Sequence, residues 1–278
     1  MGIILGLLAA VCYGASDFAG GVGGRRSSSE AVAILSQPLA LLAAVLAAVL
    51  LGGARPGVGT LGWGALSGLG SGVGTIALYR GLSVGRMGVV APVSAVLAAG
   101  IPAVVGLSTG DSLSTLRLSG LVLALPGIAL ISRQPSSDER PDRTGVAEAL
   151  VAGVGFALLF IGLARAGTGS GAWPLVAGQV VAVGTVLLLG LGLGSARGTW
   201  RAAAGPAVMT GILGGLATLL YLAATGRGDL SVVAVLTSLY PAVTILLARL
   251  LLREQWARIQ VVGLGLSVVA ICLISVGS

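Results

Sequence analysis

Asp17 is the first residue of this sequence whose type and position could do chemistry. It lies inside an apolar stretch from Gly2 to Gly24, four residues after Tyr13, so both side chains fall on one face of a helix. A carboxylate facing lipid would be costly, so we expect this face to border protein or water. There Asp17 could exchange a proton coupled to substrate or balance the charge of a cationic substrate. The alternative is a structural carboxylate that caps a neighbouring helix or pairs with an arginine.

Further polar side chains interrupt the later apolar stretches and are candidates for contact with a substrate. Arg80 follows Tyr79 and could pair with Asp17 or with a substrate carboxylate, although an arginine at a span end also serves as an interfacial anchor. The amides of Gln37 and Gln179 could contact substrate or bond between helices. The candidate substrate- or ion-binding residues are Asp17, Tyr13, Gln37, Tyr79, Arg80, Gln179, Tyr221 and Tyr240.

Tyrosines and prolines extend this pattern of candidate residues. All four tyrosines fall within apolar stretches, where aromatic walls with hydroxyls suit aromatic or drug-like substrates; the alternative is an interfacial belt. Pro92 and Pro241 also lie inside apolar stretches, where a proline frees a backbone carbonyl and permits bending. We interpret these two prolines as candidate hinges.

The composition places these residues in a membrane protein. The 278-residue chain is 56% hydrophobic and 9% charged, whereas a soluble domain carries about 25% charged residues. The net charge of +7 does not indicate nucleic-acid binding, because the arginines are scattered between apolar runs and form no basic face. All sixteen basic residues are arginine, which with the abundance of alanine and glycine indicates a GC-rich, bacterial genome.

The residue types argue against metal and cofactor chemistry. The chain has no histidine, and its two cysteines, Cys12 and Cys272, lie near opposite ends of the chain. The usual ligand sets for zinc, haem and iron–sulfur clusters are therefore missing. We expect no catalytic residue, no metal and no cofactor.

Ten apolar stretches of about membrane-spanning length follow when the chain is cut at charges, prolines and glycine clusters. Residues 133–143, with two prolines and six charges, form the one strongly polar segment and read as a solvated linker. The predicted architecture is an all-α polytopic membrane protein. Its two five-helix units occupy residues 1–132 and 144–278.

The two units resemble each other. A shift of 143 positions aligns Asp111 with Glu254, two acidic residues that we expect to cap a following helix or to pair with arginines. The same shift aligns Gly2 with Gly145 near the start of each unit. Because five spans is an odd number, the second unit would enter the membrane in the opposite sense. Inverted repeats are common in secondary transporters, whose substrate sites lie where the repeats meet.

In these features the chain resembles the EamA family of the drug/metabolite transporter superfamily. The resemblance covers essentially the whole chain and is strongest in the second unit, at Leu239-Tyr240-Pro241, Arg253-Glu254 and Val262-Gly263-Leu264. The first unit departs from the family pattern, with Leu97-Ala98 where Tyr-Pro would align and Gly110-Asp111 in place of Gly-Glu. The resemblance implies a fold of ten helices and the transport of small metabolites, usually driven by an ion gradient. It does not imply a particular substrate.

From these observations we expect a secondary transporter of small organic metabolites or drugs. It would export them across the bacterial cytoplasmic membrane by alternating access, with proton coupling left open. One alternative is a flippase for a lipid-linked metabolite on the same fold, and another is a membrane-embedded enzyme. The expected partners are a small-molecule substrate and the lipid bilayer. No nucleic acid is expected, and association into a homodimer is left open.

Overall fold

The computed structural model describes residues 1–84, 87–111, 113–131, 143–192, 200–252 and 257–276, and the regular structure within these ranges is helical. In chain order the helices are α1 (Gly2–Arg26), α2 (Ser29–Leu51), α3 (Val58–Val84), α4 (Met87–Ser108), α5 (Thr115–Ile131), α6 (Arg143–Ala166), α7 (Trp173–Gly192), α8 (Trp200–Thr225), α9 (Leu230–Thr237), α10 (Tyr240–Leu252) and α11 (Arg258–Val276). The predicted all-α class is confirmed. The polar linker lies outside the described residues except for Arg143, which begins α6.

The surface of this bundle is apolar, as a bilayer requires. Within the described ranges, six helices are long and apolar enough to cross a membrane, and four shorter apolar helical segments accompany them. Leu50 on α2 and Leu188 on α7 are 80% and 78% exposed. Many other large apolar side chains are exposed as well, most of them to a smaller extent. Such a surface suits acyl chains rather than water. The chain is a multi-pass membrane protein; that all ten segments cross the membrane stays a prediction.

The interior is built from small residues that let helix backbones approach closely. Ala95, Ala98 and Ala99 on α4 are fully buried. Gly68 on α3 lies so close to α7 that a Cβ atom would overlap the carbonyl of Gly178. In a membrane, where lipid tails are as apolar as leucine, this close packing of small residues drives helix association.

The close glycine contacts also give the relative directions of the helices. Gly2 lies against Arg227 and Gly23 against Pro206, so α1 and α8 are antiparallel. The other antiparallel contacts are Gly74–Ala152 and Gly162–Trp63 between α3 and α6, and Gly120–Ile274 and Gly127–Ser267 between α5 and α11. The parallel contacts are Gly64–Pro174 and Gly72–Ala182 between α3 and α7, Gly211–Ser36 and Gly215–Ala40 between α2 and α8, and Gly6–Val233 and Gly14–Tyr240 between α1 and the α9–α10 pair. Helices that alternate in direction along the chain, with α9 and α10 sharing one direction, produce this pattern.

The apolar stretch that contains Tyr240 and Pro241 is interrupted between α9, which ends at Thr237, and α10, which begins at Tyr240. Pro241 accounts for the interruption, because it lacks the N–H that would donate to the Thr237 carbonyl and its ring clashes with the preceding turn. The two intervening residues form a turn. Tyr240 is thereby placed at the first position of a new helix. The proline predicted to bend this stretch therefore lies at an observed break, and motion at this point stays a prediction.

One end of the bundle is held by a carboxylate cap and an ion pair, which together we call the α9 clamp. Asp111, between α4 and α5, accepts hydrogen bonds through Oδ2 from the N–H and the hydroxyl of Ser231, at 2.9 and 2.7 Å. Arg117 on α5 pairs with Asp229, just before α9, at 3.3 Å. Asp111 therefore caps a helix, but the capped helix is α9 rather than the next helix in the chain. Glu254 lies outside the described residues.

Candidate functional site

A cavity of about 110 Å³ lies among helices α1, α2, α3, α6, α7, α8 and α10. Five of the eight predicted binding residues line it, namely Tyr13, Asp17, Gln37, Gln179 and Tyr240. They come from four helices that are distant in sequence. The sequence identified these residues one by one, and the structure brings them together around one space.

Asp17 reaches this cavity from well inside α1. It lies fifteen residues after the first residue of the helix and nine before the last. At 1.5 Å rise per residue, Asp17 lies about 14 Å along the axis from the nearer end of α1. The ion pairs of the described residues that join arginines to carboxylates are Arg80–Glu148 and Arg117–Asp229, so Asp17 has no arginine partner there. This arrangement argues against the structural alternative for Asp17, in which it pairs with an arginine.

Two buried polar atoms of the lining have no hydrogen-bond partner among the residues that the structure describes. They are the hydroxyl of Tyr13 and the side-chain oxygen Oε1 of Gln179, a residue that is only 8% exposed. A buried polar group without a partner destabilises the folded protein by about 1–3 kcal/mol. Groups of this kind in a cavity are therefore well placed to bond to a ligand or to water.

The aromatic side of the cavity is formed by rings from three helices. The Tyr13 ring meets Phe160 edge-on, with 6.2 Å between ring centroids, and it lies 6.4 Å from the ring of Tyr240. Phe160 in turn stacks on Tyr221 at 4.6 Å. The cluster gives the cavity an apolar wall beside the carboxylate of Asp17.

Tyr221, predicted as a binding residue, does not line the cavity. It is fully buried behind Phe160, and its hydroxyl donates to the Phe160 carbonyl at 3.1 Å. Its observed contacts thus hold α8 against α6 and support the ring that does line the cavity.

The small hydroxyl residues of the lining are mostly engaged with the backbone. The Ser16 hydroxyl donates to the Thr210 carbonyl at 2.9 Å, and the Thr210 hydroxyl donates to the Ser16 carbonyl at 3.3 Å, which joins α1 to α8. The hydroxyls of Ser36 and Thr218 donate to carbonyls of their own helices. These donors are therefore occupied. The unpartnered groups of Tyr13 and Gln179 remain available to a ligand.

The other predicted residues lie apart from the cavity or outside the description. Arg80 extends from α3 to Glu148 on α6, 3.5 Å away, and its side chain is 43% exposed. Tyr79 belongs to α3 and Pro92 to α4, but their side chains are not among the described ones. Pro241 follows Tyr240 at the break between α9 and α10. The predicted pairing of Arg80 with Asp17 is not what the structure shows, because Arg80 has a carboxylate partner elsewhere.

Most of the lining residues fall into pairs separated by 143 positions. The pairs are Tyr13 and Phe156, Ser16 and Leu159, Asp17 and Phe160, Ser36 and Gln179, Ser71 and Gly214, and Thr75 and Thr218. Sequence reasoning missed Phe156 and Phe160, because phenylalanine in an apolar stretch carries no polar signal. Applying the 143-residue shift to Tyr13 and Asp17 could have found both of them.

The comparisons with known proteins agree with this architecture. Residues 143–276 match the model of the EamA-like transporter family. A protein of known crystal structure, 17% identical in sequence, aligns over 99% of this chain and 96% of its own with a TM-score of 0.75. At this identity the likeness shows the fold alone, and it extends over both halves of the chain. A comparison with curated proteins gave no significant match.

Proposed function

The chain is EamA-like over residues 143–276, and from this premise we propose that it is a secondary transporter of small organic metabolites or drugs. It works by alternating access and exports its substrate across the bacterial cytoplasmic membrane. Family resemblance carries the coarser part of this statement, a membrane transporter of small molecules. The export direction follows our interpretation of the family resemblance, and the bacterial membrane follows from the composition.

The observation that carries the proposal is the cavity itself, with its mixture of polar and aromatic lining residues. Asp17, Tyr13 and Gln179 face one space deep within helices whose outer surfaces are apolar. A carboxylate is rarely retained at such a depth without a functional reason. A binding site deep in the bundle is also what a carrier needs, because its site must be reached in turn from each side of the membrane.

The inverted repeat is part of the proposal, and two independent features support it. The first is the direction of packing, since α1 is antiparallel to α8 and α6 is antiparallel to α3. In the 143-residue alignment α1 corresponds to α6 and α3 corresponds to α8. The α1–α8 contact of one half therefore corresponds to the α6–α3 contact of the other. The second is the 143-residue pairing of the lining residues, which supports a meeting of the two halves at the cavity. Rocking of one half against the other would then expose this cavity to alternate sides.

The geometry favours a carrier for small solutes over the two alternatives. A cavity of about 110 Å³ is smaller than the 150 Å³ site in which another protein holds benzene, so it suits a compact solute better than a lipid-linked one. For an enzyme, the hydroxyls of Ser16, Ser36 and Thr218 would be candidate nucleophiles, but each donates to a backbone carbonyl. These three hydroxyls are therefore engaged in hydrogen bonds to the backbone, which does not favour a role in nucleophilic attack.

Solute release from proteoliposomes tests the proposal. Purified protein is reconstituted with a trapped mixture of amines, quaternary ammonium compounds, amino acids, carboxylates and neutral aromatic compounds, and each trapped solute is followed by mass spectrometry with and without a pH gradient. We expect at least one solute to leave faster than from protein-free liposomes. We expect this flux to fall about a hundredfold in Asp17→Asn, since a buried charge-assisted contact contributes about 1.5–3 kcal/mol.

The matched control is Glu30→Gln, which removes the same charge from the first turn of α2, outside the cavity lining. This variant should transport normally. If no solute moves faster than from protein-free liposomes, although the protein is folded, the transport proposal fails. The appearance of a new compound without any flux would favour the enzyme instead.

A further inference from the structure

We propose that the cavity selects a small organic cation with an attached apolar or aromatic group. This inference rests on the proposed function and deepens it, because it names the substrate class. It depends on three features of the lining: the sign of its charge, its unpartnered polar atoms, and the position of its rings.

The charge of the lining favours a cation. Among the described residues that line the cavity, Asp17 is the one with an ionisable carboxyl group, and that set contains no arginine. Arg80, proposed from the sequence as a partner for Asp17, is paired with Glu148 instead. An anionic solute would meet a carboxylate with no cation to offset it, whereas a cationic solute would supply the partner that Asp17 does not find in the described protein. A free amino acid is disfavoured for the same reason, because its carboxylate would have no counter-charge.

The unpartnered polar atoms favour a ligand that donates hydrogen bonds. The Oε1 atom of Gln179 is a buried acceptor without a donor, and the carboxylate of Asp17 is an acceptor as well. By contrast, the serine and threonine donors described above are already bonded to the backbone. The unpartnered hydroxyl of Tyr13 can accept as well as donate. A primary or secondary ammonium group carries donors only, so it matches these three acceptors.

The rings complete the site for a cation with an apolar body. Tyr13, Phe156, Phe160 and Tyr240 line the same cavity as Asp17. The electron-rich face of an aromatic ring attracts a cation within about 6 Å of its centre, and the attraction is strongest where water is excluded. The volume of about 110 Å³ is smaller than a site of about 150 Å³ that holds benzene in another protein, so the lining would have to widen around a substituted ring, and larger ligands are disfavoured.

Three ligands of nearly equal size separate charge from shape. Binding of benzylamine, benzyl alcohol and benzoate to the purified protein in detergent is measured by calorimetry at neutral pH, where the three are cationic, neutral and anionic. We expect benzylamine to bind at least about tenfold more tightly than benzyl alcohol, and benzoate to bind more weakly than either. Equal affinities for all three, or the tightest binding for benzoate, would overturn the inference.

Two substitutions locate the preference within the cavity. In Asp17→Asn the ratio of benzylamine to benzyl alcohol affinity should fall to about one, while Glu30→Gln should retain the wild-type ratio. Thermal unfolding confirms that each variant is folded. If Asp17→Asn does not fold, Phe160→Leu serves in its place, and it should weaken benzylamine more than benzyl alcohol because only the cation gains from the ring face. An unchanged ratio of benzylamine to benzyl alcohol affinity in folded Asp17→Asn or Phe160→Leu protein would place the cation elsewhere and contradict the inference.

Flux and binding together distinguish this inference from the function on which it rests. If benzylamine binds through Asp17 and benzamidinium, a compact cation that also carries N–H donors and crosses lipid poorly, binds but is not transported, the site is cationic and the transport proposal is at fault. If solutes are transported but only anions or neutral molecules bind, the transporter stands and the substrate class is wrong.

Discussion

The two walls of the cavity that come from α1 and α6 occupy matching positions in the two halves of the chain, yet they differ in chemistry. Tyr13 and Asp17 on α1 correspond to Phe156 and Phe160 on α6 at the constant separation of 143 residues. One wall offers a hydroxyl and a carboxylate, while the other offers two apolar rings. With the two halves as the copies of one unit that we propose, the comparison teaches that such a scaffold needs its polar site only once. One copy can hold the charge, and the other can hold the apolar part of the ligand.

The helix contacts that hold the two halves together are, by contrast, alike. Gly68 on α3 packs against α7 at Gly178, and Gly211 on α8, its counterpart at the same separation, packs against α2 at Ser36. Both contacts are parallel helix pairs in which a glycine meets a backbone carbonyl. Packing is therefore matched between the halves where the cavity chemistry is not, and substitutions can test each side of this contrast.

The largest effect is expected at the matched glycines. In Gly68→Ala the new Cβ atom overlaps the Gly178 carbonyl, and in Gly211→Ala it lies 2.5 Å from the Ser36 carbonyl oxygen. The helices must separate in both variants, which should lower the free energy of unfolding by about 1–3 kcal/mol. Thermal unfolding in detergent measures the loss. Gly62→Ala in α3 is the control, because nothing lies within 4 Å of its added Cβ, and it should be neutral or stabilising by up to about 1 kcal/mol. Equal behaviour of all three variants would mean that close approach does not hold the halves together.

A smaller effect is expected at the α9 clamp. Asp111→Asn keeps the shape of the side chain but removes the charge that accepts two bonds from Ser231, so we expect a loss of about 1–2 kcal/mol in unfolding free energy. Asp229→Asn, which breaks a partly exposed ion pair with Arg117, should change stability by less than about 1 kcal/mol. A loss in Asp229→Asn greater than that in Asp111→Asn would contradict the assignment of the cap as the stronger part of the clamp.

The clamp also marks a difference between the halves that the sequence already contains. The position that corresponds to Ser231 in the first half is Gly88, which has no hydroxyl, and the position that corresponds to Asp229 is Arg86. The residue types of the first half therefore do not repeat the clamp. Like the cavity walls, the clamp therefore has different residue types at the matching positions of the other half.

The smallest effect separates two tyrosines that the sequence treated as equivalent. Tyr221→Phe removes a hydrogen bond to the Phe160 carbonyl and should lower the unfolding free energy by about 1 kcal/mol. Tyr13→Phe removes a hydroxyl that has no partner in the described part of the chain, so stability should be unchanged or slightly raised, while benzylamine affinity changes instead. Calorimetry and thermal unfolding of both variants test the distinction. A stability loss in Tyr13→Phe equal to that in Tyr221→Phe would show that its hydroxyl is bonded after all.

The sequence was sufficient to predict the helices and much of the polar side of the site. Apolar stretches bounded by charges and glycines predicted the helices to within a few residues, because backbone bonding in a bilayer leaves few alternatives to a helix. Asp17, Tyr13, Gln37 and Gln179 were found because polar side chains stand out in apolar sequence. The interruption before Tyr240 was not predicted as two helices, although Pro241 indicated a bend.

The remainder of the site depended on contacts between distant segments. Nothing in the local sequence distinguishes Phe160, which lines the cavity, from Tyr221, which lies behind it; the distinction comes from how α8 packs on α6. From the sequence, Asp17 or a substrate carboxylate was likewise the expected partner of Arg80. Helix packing places Arg80 beside Glu148 instead. Such choices are made by tertiary packing, which periodicity does not encode.

The measurement that tests the central claim most directly is the accessibility of the cavity from each side of the membrane. Thr75 and Thr218, matched lining residues from the two halves, are changed to cysteine one at a time in a chain in which Cys12 and Cys272 are replaced by alanine. Each variant is labelled in right-side-out and inverted vesicles with a membrane-impermeant methanethiosulfonate that carries a trimethylammonium group. The account predicts labelling from both sides, blocked by benzylamine, with the two rates changing in opposite directions when the solute gradient is reversed. Labelling from one side only under every gradient would contradict it.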